Sequence, residues 1–159
     1  FINDSEIKLF LILILIPIFC FLCFNFSLFK LPKLFLGDSG SLLLGFIIAF
    51  TLVYIGNLNI VHPILLAWSI SIFVYEFLSI NIIRVVNKKN PFEANQDHLH
   101  HILLRKTKSI FQTNILLFFT NIFFFIIGYL SFLLINPIAS LISFIFLFKI
   151  FFIIRNKYK

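Results

Sequence analysis

Two polar clusters interrupt an otherwise apolar chain: Gly37-Asp38-Ser39-Gly40-Ser41 and, far downstream, Asp97-His98-Leu99-His100-His101. The first sets a carboxylate between glycines and beside two hydroxyls. Glycines let the backbone approach a phosphate closely, and a carboxylate offers Mg2+ a hard oxygen. The same residues have a purely structural use, because Asp38, Ser39 or Ser41 can cap the helix that follows. The second cluster places imidazoles among Arg and Lys residues, where they can donate hydrogen bonds to phosphate oxygens or carry a proton near neutral pH. In a helix His98 and His101 share a face; in an extended segment His98 and His100 do. A dedicated zinc site asks for three or four fixed ligands at recognisable spacing, and no Cys assists here. An idle surface cluster or an adventitious metal contact is the alternative.

Glu76 lies inside an apolar run, where a carboxylate needs a partner or a wet cavity. Asn81, Arg84 or another helix are its candidate structural partners. His62 falls at the opposite end of that run and reads as an interfacial residue outside the site. Cys20 and Cys23 read as small buried hydrophobes, with neither zinc nor a disulfide assigned to them.

The elements that must position these groups follow from composition. The chain has 159 residues, 61% of them hydrophobic and 12% charged, with a mean hydropathy of +1.09. Such a chain has too little polar surface to cover a soluble core and belongs in a membrane. Its net charge of +7 could suggest nucleic acid, but the basic residues sit at the ends of apolar runs and form no dense patch, so membrane topology explains them and no nucleic-acid partner is expected. The chain holds no Met and starts at Phe1. The expectation is a missing amino-terminal portion, with a processed signal peptide as the alternative.

Apolar runs long enough to cross a hydrocarbon core of about 30 Å are expected near residues 9–29, with Pro17 inside, and near 42–55, 61–83, 110–135 and 138–154. The second is short and must borrow Gly40, Ser41 or Gly56. Asn136-Pro137 makes the last turn. The predicted fold is an all-α, polytopic transmembrane helical bundle of about five spans, a single membrane domain over residues 1–159 with a loop at 84–109 carrying the His cluster. Lys30 and Lys33, then Arg84, Lys88, Lys89, Arg105, Lys106 and Lys108, then Arg155, Lys157 and Lys159 all fall on one side of this arrangement. Lys and Arg collect on the cytoplasmic face, so that face is expected to carry both polar clusters.

Taken in order, Phe24-Asn25-Phe26, the run from Lys33 through Gly37-Asp38-Ser39-Gly40-Ser41 to Gly45, Arg84 ending a span, Asn90-Pro91-Phe92 and His98-Leu99-His100-His101-Ile102-Leu103-Leu104 resemble the carboxy-terminal half of the polyprenyl-phosphate N-acetylhexosamine-1-phosphate transferases, glycosyltransferase family four. The His-x-His-His form looks more like the N-acetylglucosamine-type branch than the muramoyl-pentapeptide branch. The resemblance implies a multi-pass enzyme of the bacterial inner membrane. It would move N-acetylhexosamine-1-phosphate from a UDP-sugar to undecaprenyl phosphate, releasing UMP, in the first membrane step of envelope polysaccharide synthesis. It implies Asp38 as a ligand of Mg2+, or of Mn2+, and His98, His100 and His101 along the nucleotide-sugar diphosphate.

Departures from the family pattern are also visible. Asn95-Gln96 stand where the family places an Asp-Arg pair, and Glu76 stands where it places an intramembrane Asp. The paired aspartates expected upstream would lie before Phe1, so these residues alone are expected to be inactive, the other half being fused, a separate partner chain or lost. The rival from another class is a non-catalytic membrane scaffold or small ion or proton transporter, with Glu76 and the histidines along its path.

Overall fold

The computed structural model describes residues 4–88, 90 and 98–157. Pro91-Phe92, Asn95-Gln96, Asp97, Lys89 and Lys159 lie outside the described residues. Among the described residues the secondary structure is helical, without strands. The chain divides into two compact units, Phe1–Thr51 and Leu52–Lys159. Among the described residues four helices are long and apolar enough to cross a membrane, and a fifth span exists if one sharply bent pair counts as one. This is the all-α polytopic architecture expected from composition.

In the first unit, α1 (Asp4–Asn25) runs through Pro17. It stops short of the expected end at residue 29 because Ser27, Phe29 and Lys30 take left-handed backbone, with φ of 52°, 55° and 63°. A short 3-10 turn, Leu28–Lys30, follows. Asn25 Nδ2 donates to the Leu34 carbonyl at 3.2 Å, tying the end of α1 to the segment that leads into the next helix. That helix, α2 (Gly37–Asn57), takes in Gly40, Ser41 and Gly56 together and so reaches spanning length. Among the described residues, most of the large apolar side chains of α1 and α2 are exposed and none is buried, as lipid-facing residues are.

The second unit contains the main departure from expectation. The third apolar run forms two helices, α3 (Pro63–Ser69) and α4 (Ser71–Val86), bent by 79° where a straight span over 61–83 was expected. The sequence at the break, Ser69-Ile70-Ser71, holds neither Gly nor Pro. The bend is held from outside, by Asn121 of α6 (Ile110–Leu134). Asn121 Nδ2 donates to the Ser69 carbonyl at 2.8 Å, and its Oδ1 accepts from Ile72 N and Ser71 Oγ, both at 3.2 Å. Backbone groups freed at membrane depth must find such partners. His62, in keeping with its place outside the site, starts α3: its Nδ1 accepts from Ile64 N at 3.2 Å.

The core of this unit lies where α3 and α4 pack on α6 and on α7 (Pro137–Lys157). Trp68 and Tyr75 are fully buried and pack against Phe144 with ring centroids 4.9 and 4.8 Å apart. Their polar atoms are satisfied across the interface. Trp68 Nε1 donates to Ser140 Oγ at 2.9 Å, Ser140 Oγ donates to the Gly128 carbonyl at 2.9 Å, and Tyr75 OH donates to the Phe144 carbonyl at 2.8 Å. Gly128 is required by this packing, since a Cβ there would meet the Trp68 ring at 2.2 Å. Arg155, one of the basic residues near the chain end, is buried at 3% exposure.

Candidate functional site

The loop expected over 84–109 is partly helical. α4 continues to Val86, and α5 (Leu99–Thr107) carries two of the histidines while His98 is its N-cap residue. His100 and His101 are thus helical, while His98 keeps extended backbone and its ring lies nearer His100 than His101, the pair expected of an extended segment. Ile102 is buried and α5 packs on α6. Lys108, at φ 54°, ends α5. Thr107 Oγ1 meets Thr113 Oγ1 at 2.7 Å, fixing α5 to the first turn of α6. Ser109 caps α6 through Gln112 N.

What anchors the other end of α5 is Glu76. The half-buried Glu76 Oε1 accepts a hydrogen bond from Leu99 N in the first turn of α5 and lies 3.6 Å from His98 Nδ1. A carboxylate at a helix N-terminus meets free N–H groups and the positive end of the helix dipole. This accounts for an acid inside an apolar run without invoking an open ion path. Of the near-sequence partners expected for Glu76, Asn81 instead donates to the Phe77 carbonyl at 2.8 Å. The acid itself was visible in the sequence. Its partner was not, because the donor is an ordinary backbone amide that becomes available only once α5 starts at Leu99.

The three imidazoles form one group. Ring centroids lie 4.1 Å apart for His100 and His101, 5.6 Å for His98 and His100, and 6.5 Å for His98 and His101. Partial desolvation, then the neighbouring His101 and His98 rings, hold His100 below the usual histidine value. A nearby anion would offset this by favouring the charged form of His100. Arg105, Lys106 and Lys108 are exposed on and after the last turn of α5, leaving the neighbourhood cationic.

Asp38 belongs to the other unit. It lies exposed in the first turn of α2, directly after Gly37, whose φ of 68° suits glycine. Ser41 Oγ donates back to the Asp38 carbonyl at 2.8 Å, so this serine is not the cap that the sequence allowed. The Asp38 carboxylate has no hydrogen-bond partner among the described residues, and it can act as one hard oxygen ligand. Among the described residues no group of three His, Cys, Asp or Glu converges as a metal site. One carboxylate completed by substrate phosphates and water is nevertheless an ordinary way to hold Mg2+.

A sequence model of glycosyl transferase family 4 matches residues 1–57. The undecaprenyl-phosphate alpha-N-acetylglucosaminyl 1-phosphate transferase of Haemophilus influenzae is 30% identical over 122 residues, 75% of this chain and 34% of the relative. The enzymes of the same name from Yersinia pestis and Escherichia coli K12 are 32% and 31% identical over 75 residues, 46% of this chain and 20% of each relative. The chain thus spans about a third or less of the length of the curated relatives it matches. No solved structure matches it.

Proposed function

We propose that this chain, a relative of glycosyl transferase family 4, supplies part of the active site of a multi-pass phospho-sugar transferase in the bacterial inner membrane. The substrates in this reading are a UDP-N-acetylhexosamine and undecaprenyl phosphate. The observation that carries it is the anchored helix α5, which groups His98, His100 and His101 beside exposed basic residues, in a chain that also presents the free carboxylate of Asp38 at a helix start.

In the reaction, an oxygen of the lipid phosphate attacks the sugar-linked phosphorus of the UDP-sugar. The new P–O bond forms as the bond to the bridging oxygen breaks, and UMP leaves with that oxygen. Phosphoryl transfer of this kind depends on positioning and on neutralising charge. Asp38 would hold Mg2+, or Mn2+, which supplies charge neutralisation at the diphosphate. The imidazoles would donate hydrogen bonds to the diphosphate oxygens, and Arg105 and Lys106 would keep the approach cationic. Both groups open to the cytoplasm in this reading, since α2 crosses the membrane once and the broken α3–α4 pair returns.

The chain matches only about a third or less of its curated relatives, so the 159 residues alone are expected to be inactive. The test is transfer of radiolabelled sugar phosphate from UDP-N-acetylglucosamine to undecaprenyl phosphate with Mg2+ present. It compares the purified chain with the same chain fused to, or reconstituted with, the amino-terminal part of a matching relative. Product from the completed protein only is the expected result. Turnover by the chain alone contradicts its dependence on a second part, and no turnover in any completed form contradicts the reading.

A further inference from the structure

Resting on the reading of α5 as part of the diphosphate site, we infer that Glu76 is a positioning residue that fixes which nitrogen of His98 faces the substrate. Its Oε1 accepts from Leu99 N and lies 3.6 Å from His98 Nδ1. The amide bond fixes the carboxylate at the start of α5. The carboxylate in turn attracts a proton on Nδ1, closing the contact to a charge-assisted hydrogen bond. A carboxylate behind one ring nitrogen sets the tautomer and leaves the other nitrogen for chemistry. Nε2 of His98 is then the free atom, a donor to a phosphate oxygen when the ring is charged and a proton acceptor when it is neutral. The side chains differ in environment as this role needs: Glu76 is 19% exposed, His98 44%. His98 does not cap α5 with its own side chain, and among the described residues its ring otherwise meets the His100 and His101 rings.

His62 provides an internal reference. Its Nδ1 accepts from Ile64 N, so the neutral ring carries its proton on Nε2, the form an unconstrained imidazole also favours. One spectrum should therefore hold both tautomers.

The experiment is 15N NMR of the full chain, labelled at histidine, in phospholipid nanodiscs at a pH where the rings are neutral, with assignment by His98→Gln. The expected result is His98 in the Nδ1–H form by about tenfold or more and His62 in the Nε2–H form. In Glu76→Ala the His98 preference inverts while His62 is unchanged, which also reports that α3 remains folded. Glu76→Asp, one methylene shorter, loses the preference too. Glu76→Gln keeps an acceptor for Leu99 N but loses the charge, and weakens the preference without abolishing it. His98 in the Nε2–H form in the unaltered chain, or a preference indifferent to Glu76→Ala, overturns the inference. The readout needs no turnover: a chain that shows the expected tautomers but transfers no sugar phosphate when completed refutes the proposed reaction and leaves this positioning role standing.

Discussion

Asp38→Asn in the completed transferase is expected to lower kcat/KM by about 10³-fold, the scale of removing a group that stabilises transition-state charge. The substitution is nearly isosteric. The structure gives it little else to disturb: the carboxylate is exposed in the first turn of α2, and the local hydrogen bond from Ser41 uses the backbone carbonyl, which remains. A loss of folding is therefore a poor explanation for a loss of rate. The apparent affinity for Mg2+ should fall along with turnover, measured by titrating the metal at saturating UDP-sugar. Unchanged Mg2+-dependent transfer would remove Asp38 from the metal site. Ion flux through reconstituted vesicles, altered by the same substitution, would favour the transporter reading.

The second large effect is expected from the histidines. His98→Ala and His101→Ala should each lower kcat/KM by about 10²-fold, the lower range for loss of a positioned acid–base or phosphate-binding group. The double variant should lose less than the product of the two, because in the proposed reading rings 6.5 Å apart would contact one anion. Folding again offers no ready excuse for His98, whose side chain makes no cap to α5. The measurement is steady-state transfer with helix content checked in parallel. Full activity in both variants would exclude the cluster from the site. The pH dependence has a definite sign. His100 in the folded chain binds its proton less readily than usual, so the unfolded state takes up the proton first. The folded arrangement of α5 then loses stability as pH falls through the usual histidine range, near about 6.5, and recovers as pH rises.

Apolar run length and turn residues were enough to read most of the helices. Asn136-Pro137 marked the turn between α6 and α7, and α2 reached spanning length by the glycines expected to extend it. The break between α3 and α4 was not legible, because Ser69-Ile70-Ser71 carries no local breaker. Its cause is Asn121, far along the chain, and only tertiary contact reveals what that side chain satisfies. The early end of α1 was hidden likewise, since left-handed backbone at Ser27, Phe29 and Lys30 is not announced by glycine. At the site, residue type alone picked out Asp38, the histidines and the anomaly of Glu76. The pairing of Glu76 with the start of α5 required knowing where that helix begins. The Asn95-Gln96 departure falls outside the described residues.

The account depends on the bent α3–α4 pair crossing the membrane as one broken span. If it instead enters and leaves on the same side, Asp38 and the histidines face opposite compartments. Single cysteines resolve this directly: Asp38→Cys and His100→Cys, each in a chain carrying Cys20→Ser and Cys23→Ser, probed with a membrane-impermeant maleimide in intact spheroplasts and in inverted vesicles. The expected result is labelling of both positions in inverted vesicles and of neither in spheroplasts. Labelling of one position only from outside and the other only from inside would contradict the proposed reading.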